Sequence, residues 1–171
     1  MTQHNESRDC FDQGMAEFVA GNLDASIAAL TEATRHDPGF TLAFLSRGAA
    51  HLKLGQTAPA LADFNHVIEL DPKYAKAFHL RGLAYEAIGD HAKALEDFDR
   101  ALALDPEYGA AYYSRASLHT RLGQEEAAAE DIRMVNHLTH VQLENFNNEN
   151  NVWHSRQLGL EAAGAADVFD R

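Results

Sequence analysis

Residues 75–108 read AKAFHLRGLAYEAIGDHAKALEDFDRALALDPEY, and the reading of this stretch decides the fold. Apolar residues recur three and four apart on both sides of Gly89. Phe78, Gly82 and Tyr85 share one helical face, and Ala94, Phe98, Ala101 and Leu102 share another. Each side of Gly89 is therefore an amphipathic helix. Gly89 stands where the first helix ends and the backbone turns left-handed, a conformation that costs other residues more. Pro106, which follows Leu104 and Asp105, stops the second helix because it donates no amide hydrogen and disfavours helix at the residue before it. Gly82 and Ala94 are small for a different reason, since a larger side chain at either would push the two helices apart.

Outward from this stretch the same pattern returns every 34 residues. Pro38, Pro72 and Pro106 mark the period. One glycine column runs Gly14, Gly48, Gly82 and then Ala116, and a second runs Gly21, Gly55, Gly89 and Gly123. Bulky columns keep the spacing, namely Cys10, Phe44, Phe78, Tyr112 and Leu30, Phe64, Phe98, Ile132. A small column, Ser26, Ala60, Ala94, Ala128, completes it. The columns predict an all-α solenoid of four helical hairpins over 7–142, with units 7–40, 41–74, 75–108 and 109–142, preceded by a tail at 1–6. One polar column pair carries information of its own: Arg47, Arg81 and Arg115 each stand sixteen residues before Asp63, Asp97 and Asp131. The first unit lacks both partners, with Gln13 and Ala29 in their places. Joint presence and joint absence predict that each Arg pairs with the Asp of its own hairpin and fixes the register of the two helices.

With Gly82, Tyr85, Gly89, Ala94, Phe98, Ala101 and Pro106 in a 34-residue period, the chain resembles the tetratricopeptide repeat (TPR) family. The resemblance covers most of the chain and rests on several matched columns. It departs at the ends, where Glu17 replaces the tyrosine of the third unit and Thr139 and His140 replace Asp-Pro, as terminal units of a solenoid allow. It implies a TPR superhelix whose first helices line a concave groove, and a function as an adaptor or scaffold that binds a peptide or helix of a partner protein there. On this reading the groove residues are Phe11, Met15, Phe18, Leu45, Ala49, Leu52, Lys76, His79, Leu83 and Tyr113. The known clamp for the carboxylate tail of heat-shock chaperones needs lysine, asparagine and arginine. At those positions this chain offers Phe11, Met15, Ser46, Lys76 and Leu80, of which only Lys76 matches.

The rest of the sequence narrows the partner classes. A formal charge of -12 repels phosphate backbones and anionic lipid, so neither nucleic acid nor membrane is an expected partner. The polar start MTQHNESRDC lacks the apolar core of a secretory signal, and a lone Cys10 makes no internal disulfide; both fit the cytoplasm. No phosphate loop or nucleophile elbow is present, so neither catalysis nor a cofactor is expected. His137 and His140 lie one turn apart, yet no further ligand set has metal spacing with them. His51 and His119 fall in the column of Tyr85 and are expected to replace its aromatic packing.

Beyond the last repeat no proline stops the second helix of the fourth unit. Ile132, Val135, Leu138, Leu143, Phe146, Trp153 and Leu160 project onto one side of a helix, while the asparagine-rich run at 147–151 opposes helix. A helix to about 145, a break, and helix again from about 152 to 163 are expected, with 143–171 as a capping or dimerisation segment and tail. Leu143, Phe146, Trp153 and Leu160 would cap the stack or join a homodimer. Self-assembly through the groove or this segment is the alternative to the adaptor reading.

Overall fold

The computed structural model describes residues 2–146, with side chains from residue 5 onward. Its elements are α1 (Thr2–Ala20), α2 (Leu23–His36), α3 (Thr41–Lys53), α4 (Thr57–Leu70), α5 (Ala75–Ala87), α6 (His91–Leu104) and α7 (Gly109–Arg121). An eighth helix, α8, occupies 125–146. The eight pair in chain order as four antiparallel hairpins, and no strand occurs among the described residues.

Both punctuation marks act as their chemistry requires. Gly21, Gly55, Gly89 and Gly123 close the first helices at φ of 84°, 73°, 78° and 73°. Asp37, Asp71 and Asp105, each before a proline, cap the second helices in extended backbone. Their carboxylates accept from the amides of Gly39, Lys73 and Glu107 at 2.9, 2.9 and 3.0 Å, which turns the chain into the next unit.

Within a hairpin the two helices nest through one small and one bulky residue. A Cβ on Gly82 would lie 2.7 Å from the Phe98 ring, and one on Gly48 would lie 2.6 Å from Phe64. Phe64 and Phe98 are wholly buried, and so are Ala60 and Ala94 beside them. In the first unit Gly14 meets Leu30 in the same manner. The stack curves as a consequence of which helices then touch: α1 meets α3, α3 meets α5 and α5 meets α7, while α2, α4 and α6 do not meet one another. First helices therefore form the inner wall and second helices the outer one.

The Arg–Asp pairs form as the columns predict, and they reach further. Arg47 grips Asp63 at 2.9 and 2.6 Å, Arg81 grips Asp97 at 2.8 Å twice, and Arg115 grips Asp131 at 2.9 and 2.6 Å. The remaining guanidinium nitrogen points back to the second helix of the preceding unit. Arg47 donates to Thr34 at 2.9 Å and Thr31 at 3.3 Å, Arg81 to Asn65 at 2.8 Å, and Arg115 to Asp99. Thr31, Asn65 and Asp99 are themselves one period apart, in a column that ends at Arg133. Each arginine thus fixes the register within its hairpin and between hairpins.

One boundary differs from the sequence reading. α1 begins at Thr2, so the residues read as a tail at 1–6 are helical from residue 2. No glycine or proline interrupts them, and the buried Ser7 hydroxyl donates to the Ala33 carbonyl at 3.1 Å, tying α1 to α2. α8 runs to 146, and the break expected at 147–151 lies outside the described residues. Everything expected of 147–171, including the roles of Trp153 and Leu160, lies outside the described residues.

Two stability changes follow. The side chains of Arg81 and Asp97 are 21% and 6% exposed, so Arg81→Ala strands a buried carboxylate. Its cost should be about 2 kcal/mol or more in urea unfolding, above the ~0.2–1 kcal/mol of a surface pair; unchanged stability would remove the register argument. Ser26 is fully buried in the alanine column, and its hydroxyl has no hydrogen-bond partner among the described residues. Ser26→Ala should therefore stabilise the chain, by about 1 kcal/mol in the same measurement. A loss on this change would mean the hydroxyl is satisfied.

Candidate functional site

Three first helices converge on one apolar cavity of about 220 Å³ on the inner wall. Met15 and Phe18 come from α1, Leu45, Ser46 and Ala49 from α3, and Lys76 and Leu80 from α5. Five of the sequence-predicted groove residues are thus brought together: Met15, Phe18, Leu45, Ala49 and Lys76. Ser46 and Leu80, which the sequence places at positions of the chaperone-tail clamp, join them. The period holds the signal for both, since Leu80 is Ser46 displaced by one unit.

The lining is graded by burial. Leu45 is only 4% exposed and belongs to the core with Phe64, Val67, Ala77 and Ala84, so it shows the cavity one edge. Met15, Phe18, Ala49 and Leu80 are half-buried, and Lys76 is exposed. Lys76 is the one charged group in the lining, and no carboxylate lies there. Beside the cavity, the Lys53 ammonium stands 4.6 Å from the centre of the Phe18 ring.

The other predicted groove residues lie elsewhere. Phe11 packs on Phe40 with ring centres 4.9 Å apart. Leu52 leans on the second-unit core, and Leu83 on the cluster of Ala94, Phe98 and Leu118. Tyr113 stands in the far half of the wall, 69% exposed. That half is polar: Arg121 of α7 clasps Glu86 of α5, and Ser117 and Thr120 are exposed.

His79 is an interior residue, 7% exposed. Its Nδ1 meets the hydroxyl of Tyr108, the N-cap of α7, at 3.0 Å, and its Nε2 meets the hydroxyl of Ser114, within α7, at 2.9 Å. Its ring also packs against Phe98 and, edge-on, Tyr108. His79 therefore stitches the third hairpin to the fourth and leaves the wall little of its ring. Burial, with the Lys76 charge second, pushes its pKa down to about 4.

Three further histidines, His51, His119 and His140, have partners within five residues of chain. His51 and His119, in the column of Tyr85, are half-buried. They bond Gln56, at 2.7 Å, and Gln124, each just after the hairpin glycine. His140 pairs with Glu144 at 3.3 Å, one turn along α8. Among the described residues no group of three or more His, Cys, Asp or Glu side chains gathers as a metal site. Nor is any helix there long and apolar enough to cross a membrane. On α8, Leu143 and Phe146 are 56% and 62% exposed.

A curved stack of hairpins, bulky on small inside each unit and concave along its first helices, defines a helical-repeat solenoid. Family models described as tetratricopeptide repeat match residues 11–75 and 75–108, and the chain belongs to that family. No curated protein sequence matches it. Among solved structures it is similar to MamA residues 41-end from Desulfovibrio magneticus RS-1, at 26% identity and a TM-score of 0.73, over 81% of this chain and 78% of that one. It is similar also to the first TPR of Spaghetti (RPAP3) bound to an HSP90 peptide, SRMEEVD, at 26% identity and a TM-score of 0.67, over 70% and 95%. A thermophilic TPR protein of Thermus thermophilus shares the fold at 20% identity and a TM-score of 0.71, over 77% and 74%. The fold in common is that of protein-interaction modules.

The buried imidazole makes stability depend on pH. Between its ordinary 6.5 and about 4, the unfolded chain takes up a proton that folded His79 refuses. Stability should therefore fall as pH drops through that window, by up to about 1.4 kcal/mol per unit from this group. Urea unfolding at several pH values in the native chain and in His79→Leu isolates the contribution, and parallel profiles would contradict it.

Proposed function

We propose that this chain is a protein-interaction adaptor that holds a peptide or helix of a partner in its concave groove, with the first half of the wall as the contact region. The observation that carries this reading is the apolar cavity built from α1, α3 and α5, because three consecutive units contribute to it and none fills it. An adaptable methionine beside an aromatic ring and aliphatic side chains suits an apolar anchor on a bound segment. The RPAP3 domain offers a precedent for peptide binding on this fold. The SRMEEVD mode itself is a poor model here, since only Lys76 stands where the carboxylate clamp needs a cation or amide. A cytoplasmic location fits the lone cysteine.

Self-assembly has its own supporting observation, the exposed Ile132, Leu143 and Phe146 on α8. A native chain that sediments as a stable oligomer and captures no other protein would replace the adaptor reading with that one.

Leu45 is too deep for a test by charge, because a carboxylate there would disrupt the core. Met15 is half-buried at the cavity and tolerates the change better. In Met15→Asp, partner capture from native cells should drop at least tenfold, since a charge then sits in the apolar site, while the helical circular dichroism stays native. Equal capture by the folded variant would count against the groove.

A further inference from the structure

The groove reading leaves the chemistry of the partner open, and the charges around the cavity narrow it. The chain carries 26 acidic against 14 basic side chains, and most of its described cations are already engaged. Arg47, Arg81, Arg115 and Arg121 grip carboxylates across helices, and Arg35 and Lys93 do so locally. Lys76, in the cavity lining, has no carboxylate partner among the described residues. Lys53 stacks on Phe18 at the cavity's side and has none either.

These two lysines bracket the apolar site. Lys76 is in the first turn of α5 and Lys53 is the last residue of α3. First helices of successive hairpins run the same way, so the two positions are offset by roughly 16 Å along the helix direction at ~1.5 Å per residue. An extended segment covers that offset in about five residues. The cavity, at about 220 Å³, is below the roughly 300–1,000 Å³ of a small-molecule pocket. It suits one bulky side chain from a segment lying across it.

The overall charge of -12 argues the other way, for a basic partner. Distance decides between the two. At physiological salt the Debye length is ~8 Å, so carboxylates farther than that from the cavity are largely screened there, and none is in its lining, whereas two ammonium groups beside it act at contact range.

We propose that the occupant is a partner-protein segment in which a bulky apolar residue is flanked by carboxylates, the apolar side chain entering the cavity and the acids meeting Lys76 and Lys53. The proposal rests on the groove reading and adds the charge of the ligand. It requires no free carboxyl terminus, because the cation set of a terminal-carboxylate clamp is missing around the anchor.

The probe is a fluorescein-labelled heptapeptide, Asp-Glu-Leu-Phe-Gly-Glu-Asp, titrated into the full chain and followed by anisotropy. Binding should weaken between about 50 mM and about 300 mM salt. It should fall about tenfold or more in Lys76→Glu, and vanish when the central Leu-Phe is replaced by Ser-Ser. Lys76 is exposed, so its variant stays folded. If Lys-Arg-Leu-Phe-Gly-Arg-Lys binds as tightly as the acidic peptide, the acidic partner is wrong while the groove stands. If folded Met15→Asp binds the acidic peptide undiminished, the groove itself is wrong. Two results would name another occupant and overturn the proposal. Binding that appears only after Trp153→Ser and Phe169→Ser assigns the site to the chain's own C-terminal segment. A native dimer that Met15→Asp dissociates assigns it to a second copy. Failure of every form of the chain to bind also overturns it.

Discussion

The stack depends on a guanidinium group that is shared. Each of Arg47, Arg81 and Arg115 gives two parallel hydrogen bonds to the aspartate of its own hairpin and one or two back to the hairpin before it. The planar fork of arginine fits this role and lysine does not, since a single ammonium cannot hold a carboxylate bidentately while reaching a third group. Close nesting supplies most of the cohesion, through Phe64 on Gly48 and Phe98 on Gly82, but apolar contacts are non-directional and tolerate sliding. The arginines choose one register, and the inner wall inherits its shape from that choice.

Much of this was legible in the sequence because a solenoid repeats its instructions. The left-handed glycines, the Asp-Pro turns, the small-against-bulky nesting and the three Arg–Asp pairs each recur at a fixed interval. What was harder to read was the contact of each arginine with the previous unit. The accepting column runs Thr31, Asn65, Asp99 and is constant in polarity but not in residue type, so it makes no visible motif. The N-terminal limit escaped for a related reason: residues 2–6 belong to no repeat, and a terminal turn of helix needs only the absence of breakers.

The site was legible in part. Position within the period located the inner wall, and Met15, Phe18, Ala49 and Lys76 face the cavity as that position implies. Position does not report depth. Phe11, Leu45, His79 and Tyr113 share one column, yet Leu45 is core, His79 is buried between Tyr108 and Ser114, Phe11 rests on Phe40, and Tyr113 stands open. Depth depends on what the neighbouring unit places opposite, which is a property of pairs. The wall is accordingly apolar over its first half and polar over its second, where the Glu86–Arg121 clasp ties α5 to α7. A ligand running its length meets two surfaces of different chemistry, and contact energy should concentrate in the first.

The polar column that hands each unit to the next does not continue unchanged. After Thr31, Asn65 and Asp99 it reaches Arg133 on α8. A further hairpin of the same kind, seated in the same register, would bring its own arginine against this one, cation facing cation, where every internal joint has an oxygen. Repulsion at that joint would make α8 a poorer seat for such a unit than any internal helix, through a change of sign within one column.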